Sequence, residues 1–303
     1  MKNFAVEPDR VNLPPGATAG ARRTWVKWKG RTITALSENA YRAYLYPVFT
    51  PSGVSVTAES PIDHPHHNSV TVGTDHFDCL LVYVGDRIER GTYNFYVNET
   101  FQGRTPGRIT PVSVEYEEIS DSHLRIVQQL EWQGPVEWGA PDRRVLARET
   151  RTIDIRPGET SNVIDIHSRL EPADWDIAIG PTRHAYFTIR MADGLRVVDG
   201  GTIVDADGRS DVTDINANSA AWVGLSAKGP HGHEVGVTVI PHPSKHEAAW
   251  YAHEWGSIAV NPFLTEERSL SKGDQLVLGI SLVIHDGPLD HKSISTVYDS
   301  VRS

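Results

Sequence analysis

Three of the fourteen histidines lie within four residues, from His64 to His67, directly after Asp63. Histidine titrates close to neutral pH and is the commonest metal ligand, so this cluster offers acid, base or metal-binding groups. Each protonated ring opposes protonation of the next, which favours a functional role over a structural one. Pro65 interrupts regular strand pairing, and in an extended segment His64 and His66 share one face. Asp63 is placed to orient one of the imidazoles.

A second candidate is the pair Arg183-His184, at the start of an apolar run. The guanidinium of Arg183 offers a fixed fork of donors for a carboxylate or a polarised oxygen. A neighbouring cation disfavours the imidazolium form of His184, which favours a neutral base or a hydrogen-bond donor at that position. The alternative is a surface pair that precedes a core strand, and the sequence favours neither.

A third candidate segment mixes polar and aromatic residues in the last quarter of the chain. Aromatic rings bind the apolar faces of sugars, while imidazoles, carboxylates and amides bind the hydroxyls. The pattern therefore predicts one wall of a ligand cleft, although the aromatic residues could equally pack in a core. The candidate residues are His242, Trp250, His253, Glu254 and Asn261.

Composition limits the possible partners. The chain has 303 residues, with 39 acidic and 29 basic residues and a formal charge of -10. An acidic chain without basic runs is a poor candidate for binding nucleic acid or an anionic membrane. No segment approaches the roughly 20 apolar residues of a membrane span. The N-terminus lacks the apolar core of a signal peptide, so we expect a soluble cytoplasmic protein whose partner is a small carbohydrate or polar metabolite.

Common catalytic motifs are missing from the sequence. The single cysteine, Cys79, lies in an apolar run, so we expect a buried hydrophobic residue and no intramolecular disulfide. There is no HExxH, CxxC, GxSxG, GxGxxG or Walker pattern. These absences disfavour the usual zinc-protease, serine-hydrolase and nucleotide-binding mechanisms.

Period-two alternation of apolar and polar residues predicts β-strands throughout the chain. Short turn sequences separate these runs, without helices between them, which favours an all-β, large antiparallel β-sandwich. We expect one domain over residues 1–303, with an extended lead-in at 1–20 and a short helix or tail at 290–303. The alternating runs are 112–117, 124–127, 152–155, 163–166, 235–239 and 276–280.

Several segments resemble the PmoA-like family of β proteins, named after a methane-oxygenase subunit. The motif Asp63-His64-Pro65-His66-His67 looks like its N-terminal signature, and residues 222–226, 235–237, 242–244, 261–263 and 284–287 match later parts. Asn68 stands where the family usually has arginine, and Arg183-His184 where a Lys-Glu pair is expected. The resemblance implies a functional motif without a transferable substrate.

The strand entrance His184-Ala185-Tyr186-Phe187 resembles the His-x-Tyr-Phe element of galactose-mutarotase-like enzymes. Those enzymes are antiparallel supersandwiches that bind sugars in a cleft. They carry one histidine earlier in the chain, a second in this element and a late carboxylate. The resemblance implies that His66 or His67, His184 and Glu254 take those three places here.

Together these features predict a carbohydrate-active enzyme that performs acid–base chemistry on a sugar or keto-sugar, as an isomerase (epimerase), lyase or hydrolase. One histidine, with Glu254 as the candidate carboxylate, would act as base and a second histidine as acid. Arg183 would stabilise negative charge on an oxygen. Proton transfer is expected at His66, His67 and His184. The residues expected to orient the substrate are Asp63, His64, His242, Trp250, His253 and Asn261.

Two other functions fit the same residues. The carbohydrate-active enzyme predicted above needs no cofactor. The first alternative is a metal-dependent hydrolase or oxygenase, which could bind a divalent metal at His64, His66, His242 and His253. A non-catalytic sugar-binding module is the other alternative. Whether the three histidine segments meet in space decides whether they can form one site.

Overall fold

The computed structural model describes residues 3–9, 20–82, 85, 87–230, 232–245, 248–288 and 291–302. Most of the expected lead-in at 1–20, including the proline pair at 14–15, lies outside the described residues. The part that is described contains a strand, which pairs with the next strand of the chain. Within the described residues, no helix is long and apolar enough to cross a membrane.

Nearly all of the regular secondary structure in the described residues is β-strand, which confirms the all-β prediction. In chain order the strands are β1 (Phe4–Pro8), β2 (Arg22–Trp28), β3 (Arg31–Glu38), β4 (Ala43–Val48), β5 (Val70–Thr74), β6 (Phe77–Val82), β7 (Ile88–Asn94), β8 (Thr105–Pro106), β9 (Arg108–Ser120), β10 (His123–Gln133), β11 (Val145–Arg156), β12 (Ser161–Pro172), β13 (Ile177–Ile179), β14 (Ala185–Arg190), β15 (Thr202–Asp205), β16 (Val223–Lys228), β17 (Glu234–Pro241), β18 (Ala249–His253), β19 (Ser257–Asn261), β20 (Arg268–Leu270) and β21 (Leu276–Asp286).

The strands form two sheets of eight strands and one of five. The first sheet has the order β1-β2-β3-β4-β5-β14-β19-β18, and the second β15-β16-β17-β21-β12-β11-β10-β9. The smaller sheet has the order β20-β13-β6-β7-β8. Among the described pairings, only β7 with β8 is parallel, so the predicted antiparallel architecture is confirmed.

Alternation produces the expected burial in the second sheet. Along β10, Leu124, Ile126, Leu130 and Trp132 are buried, as period-two patterning requires. Strand β14 differs, because all six of its residues are buried. It lies in the middle of the first sheet with both faces covered, so its sequence is a continuous run without clear alternation.

The helices are short. They comprise a 3₁₀ turn (Val197–Asp199), α1 (Val212–Ile215) and α2 (His291–Ser300). Helix α2 confirms the predicted C-terminal helix, and its Ile294 packs with Trp222, Ile240 and Val283 in a small core of their own. The apolar residues with helical spacing in this segment therefore form the face of α2 that packs against the second sheet.

A buried ion pair lies between the second sheet and the first. Arg151 donates to both carboxylate oxygens of Glu149, at 2.8 and 2.9 Å, and to the carbonyl of Ala43 at 2.9 Å. Ser168 Oγ donates to Glu149 at 2.8 Å and lies 2.9 Å from the hydroxyl of Tyr186 in β14. This network joins β11 and β12 to the strand that begins after His184.

Candidate functional site

The loop between β4 and β5 carries the histidine cluster and packs it against the turn between β18 and β19. The ring of His64 stacks on Trp255, with centroids 4.2 Å apart, and on His67 at 4.7 Å. His253 also stacks on Trp255, at 4.4 Å. The first and third candidate segments of the sequence therefore meet at Trp255.

Asp63 fixes the loop to the end of β14. Nη2 of Arg190 donates to both carboxylate oxygens of Asp63, at 2.8 and 2.7 Å, and the His64 Nδ1 lies 3.0 Å from Oδ2. Burial opposes ionisation of Asp63, but the hydrogen bonds from His64 and Arg190 outweigh it and hold the pKa of Asp63 well below its usual value. Asp63 is therefore an anionic anchor for the loop.

His67 is a buried, neutral imidazole. Its Nε2 lies 3.0 Å from the hydroxyl of Tyr96. Burial first, then the neighbouring His66 and His64, lower the pKa of His67 to about 2. Burial also raises the pKa of Tyr96. The tyrosine therefore keeps its proton, and its hydroxyl can either donate to Nε2 of the neutral His67 or accept from it.

His66 lies between His67 and Tyr96 and is only partly buried. Its ring meets His67 edge-on at 4.6 Å and Tyr96 at 5.5 Å. Burial first, then the positive charge of Arg42, lowers the pKa of His66 to about 4. At neutral pH His66 is thus an uncharged imidazole. One of its ring nitrogens donates a hydrogen bond and the other accepts one.

His184 lies on the other side of Tyr96, at the start of β14. Its ring stacks on Tyr96 with centroids 5.1 Å apart, and its Nδ1 lies 2.9 Å from Asp75 Oδ2. Arg183 Nε donates to His184 Nε2 at 3.2 Å. The second candidate segment therefore joins the first through Tyr96, and the network assigns the ring proton of His184 to Nδ1.

Asp75 is held in turn by its surroundings. It accepts a hydrogen bond from the hydroxyl of Thr182, and Arg104 Nη1 lies 3.6 Å from Oδ2. Burial opposes ionisation of Asp75, but the hydrogen bonds from His184 and Thr182 outweigh it and lower the pKa of Asp75. An ionised Asp75 fixes the orientation of the His184 ring through the hydrogen bond at Nδ1.

The buried histidines predict a pH dependence of stability. The unfolded chain protonates histidine with a pKa of about 6.5, whereas in the folded protein the pKa values of His66 and His67 are about 4 and about 2. The unfolded state binds more protons below about pH 6.5, so the free energy of unfolding decreases as pH falls from there towards about pH 4. Urea unfolding of the wild type and of His67→Gln measures this effect. We expect a shallower decrease in the variant, and identical slopes would contradict the assignment.

The remaining sequence candidates have other surroundings. The amide of Asn261 donates to the carbonyl of Thr182 at 2.7 Å and accepts from the Phe263 N–H, so it supports the loop before His184. Trp250 is buried, and its indole N–H donates to the carbonyl of Ala220. Glu254 is exposed at the β18–β19 turn.

His242 belongs to a different cluster. Its ring lies 4.5 Å from that of His167, and its Nε2 lies 2.8 Å from the hydroxyl of Ser281. None of the ring contacts that join His64, His66 and His253 includes it. Within the described ranges, no three His, Cys, Asp or Glu side chains are arranged to hold a metal ion.

Four residues of the candidate site were not predicted from the sequence. Asp75 had no usable signal, because it follows β5, which is not among the alternating runs of the sequence. Tyr96, Arg42 and Arg190 had none, since an isolated tyrosine or arginine in a strand or strand end has no motif. All four contact the histidines or line the space behind them.

The chain is an all-β protein whose histidine-rich cluster lies against an interior strand, β14, of one antiparallel sheet. The model of a family described as "Family of unknown function (DUF6807)" matches residues 23–299. The chain belongs to this family. No curated protein matches it, and nothing in the comparisons supports the PmoA-like resemblance.

The structural neighbours include galactose mutarotase-like proteins. One, from Lactobacillus casei ATCC 334, is 11% identical, with a TM-score of 0.39 over 84% of this chain and 97% of that chain. A galactose mutarotase related enzyme from Lactobacillus acidophilus is 8% identical, with a TM-score of 0.34 over 93% and 97%. A putative kojibiose phosphorylase from the human microbiome is 10% identical, with a TM-score of 0.33. It covers 88% of this chain, which spans 31% of its length.

Proposed function

We propose that this protein is a carbohydrate-active enzyme that removes a proton from a sugar or keto-sugar and returns one. The groups that carry out this chemistry are His184 and His66. The observation that carries the proposal is the arrangement around Tyr96. Three imidazoles, from two segments more than a hundred residues apart, lie with ring centroids 5.1 to 5.6 Å from this one ring. Imidazoles are the side chains most often used as general acids and bases, so their clustering here supports acid–base chemistry.

His184 is the proposed base. Asp75 binds its Nδ1–H, so Nε2 carries the lone pair that accepts a proton. The carboxylate then stabilises the imidazolium that forms, as an aspartate does behind a catalytic histidine. Asp75 therefore takes the part that the sequence assigned to Glu254.

His66 and Arg183 are the proposed groups for the developing negative charge. The low pKa of His66 keeps it neutral, so it serves as an N–H donor to a substrate oxygen. Arg183 is exposed and donates to His184 Nε2. On substrate binding its guanidinium turns to the substrate oxygen and frees Nε2 for the proton.

Aromatic rings beside His184 supply the surface for a sugar. Phe101 and Tyr251 lie edge-on to His184, at 5.9 and 6.3 Å, and both are partly exposed. Such rings pack against the C–H faces of a pyranose. Trp255 is less suited to this, because His64 and His253 already stack on it.

Proton exchange into deuterated water tests the proposal without knowledge of the substrate. We expect the wild type to exchange a carbon-bound proton, or to interconvert or cleave, at least one member of a panel of hexoses, keto-sugars and uronates, followed by ¹H NMR. We expect His66→Gln to lower this rate about 10²-fold or more, because it removes a group that acts on the transition state.

The matched control is His233→Gln, at an exposed histidine outside the cluster, which should retain the wild-type rate. Sugar binding without any exchange, epimerisation or cleavage would contradict the enzyme proposal and favour a binding module. An equal rate in wild type and His66→Gln would remove His66 from the mechanism.

A further inference from the structure

Two fully buried arginines line one small cavity behind the histidines. The exposed fractions of Arg42 and Arg190 are 1% and 0%. The walls of the cavity also include His66, His67 and Tyr96. It has room for about one water-sized group. The cavity therefore adjoins the groups proposed for catalysis.

Both of the arginines that line this cavity have buried donors without a partner. In the part of the chain that the structure describes, Arg42 Nη2, Arg190 Nε, Arg190 Nη1 and His67 Nδ1 are buried and make no hydrogen bond. Nearly all buried donors in proteins are paired, so several orphaned donors around one cavity are unusual. The three arginine nitrogens are N–H donors, because arginine has no neutral acceptor form in proteins.

The charge around the cavity is also unbalanced. Arg42 donates to the carbonyl of Phe95 at 3.2 Å and to the side-chain oxygen of Asn98, both of which are neutral. Asp63 compensates Arg190. The neighbouring His66 and His67 are uncharged, so one positive charge remains, that of Arg42. A buried charge without a counterion is strongly disfavoured, which indicates that an anion completes the site.

We propose that Arg42 and Arg190 bind one oxygen of a substrate carboxylate, so that the substrate is a sugar acid and not a neutral sugar. The inference rests on the proposed function and specifies its substrate class. The size of the cavity selects the anion: it accepts a single oxygen of a planar carboxylate, whereas a phosphate group would bring three. A carboxylate held there places the adjacent ring carbon beside His66.

Calorimetric titration with matched pairs of sugars tests the inference. The pairs are glucuronate with glucose, galacturonate with galactose, and mannuronate with mannose, at constant ionic strength. We expect at least one uronate to bind about tenfold or more tightly than its neutral partner, since a charge-assisted hydrogen bond is worth that much or more. We expect Arg42→Gln to abolish this preference and Arg42→Lys, which keeps the charge, to retain part of it.

The control is Arg87→Gln, at an exposed arginine that pairs only with its neighbour Glu89 among the described residues, and it should keep the preference. Equal binding of every uronate and its hexose would overturn the carboxylate site and leave the proposed function standing. Binding of no sugar at all would remove both. Tighter binding of glucose 6-phosphate than of any uronate would overturn the carboxylate site in favour of a phosphate site. Stabilisation of the protein by acetate or chloride alone would mean that the site binds an adventitious ion only.

Discussion

Replacement of His184 by glutamine should lower turnover by about 10²–10⁴-fold, the usual contribution of a general acid or base. Glutamine can still donate to Asp75 through its amide and pack beside Tyr96, so the fold should be retained while the proton acceptor is lost. The measurement is the single-turnover rate of proton exchange or conversion on the substrate found in the NMR panel. Circular dichroism and the urea midpoint would show that the variant is folded.

Asp75→Asn separates positioning from catalysis. Asp75 contacts His184 and not the proposed substrate space, so it should act through the imidazolium that forms on His184. Loss of the carboxylate removes the negative charge that stabilises the imidazolium, so the acid limb of a rate that needs the neutral base should move to lower pH. A rate decrease without any change in the pH profile would mean that Asp75 only supports the loop. An unchanged rate in His184→Gln would contradict the proposed base.

The alternation of apolar and polar residues predicted β10, β11 and β12 well, because a strand with one buried face shows that alternation within its own sequence. Alternation along these strands reflects one buried face, and hairpin neighbours pair in register. The pairing of β5 with β14 could not be predicted in this way. It joins Thr74 to Ala185, residues far apart in the chain, and the buried sequence of β14 suits several partners.

The same limit explains what the sequence revealed of the site. The cluster of His64, His66 and His67 is visible because the residues are close in the sequence. Their spacing alone predicts that each protonated ring opposes protonation of the next. The partner of His184 was not visible. Asp75 reaches it only because β5 and β14 are antiparallel, which brings the end of one strand to the start of the other.

The polar candidates of the third segment were ambiguous for a different reason. An amide such as Asn261 can bind a ligand or close a loop, and its sequence context is the same in both cases. Here both ends of the amide bind backbone groups, so it shapes the approach to His184. His242 was separated from the other histidines by its position at the end of β17, in the second sheet.

The buried pair of Glu149 and Arg151 should have the largest effect on stability. Arg151→Met leaves the Glu149 carboxylate buried without its cation, and breaking a buried pair from one side typically costs about 3–5 kcal/mol. The hydrogen bonds from Trp132 and Ser168 would still solvate the carboxylate, but they carry no net charge. Urea unfolding of wild type and variant measures the loss. Arg148→Met, at an exposed position of the same strand, should change stability by less than about 0.5 kcal/mol.

A double variant distinguishes lost charge balance from lost packing. Glu149→Gln combined with Arg151→Met removes both charges, and the glutamine carbonyl can still accept a hydrogen bond from Trp132 or Ser168, so the double variant should recover part of the stability lost in Arg151→Met alone. The network reaches the hydroxyl of Tyr186 through Ser168, and Tyr186 follows His184 by two residues. The single variant should therefore also loosen the start of β14. Amide hydrogen exchange there should increase over the wild-type rate by more than it does in β9. A double variant no more stable than the single one would show that packing of the arginine stem, and not the unpaired charge, sets the cost.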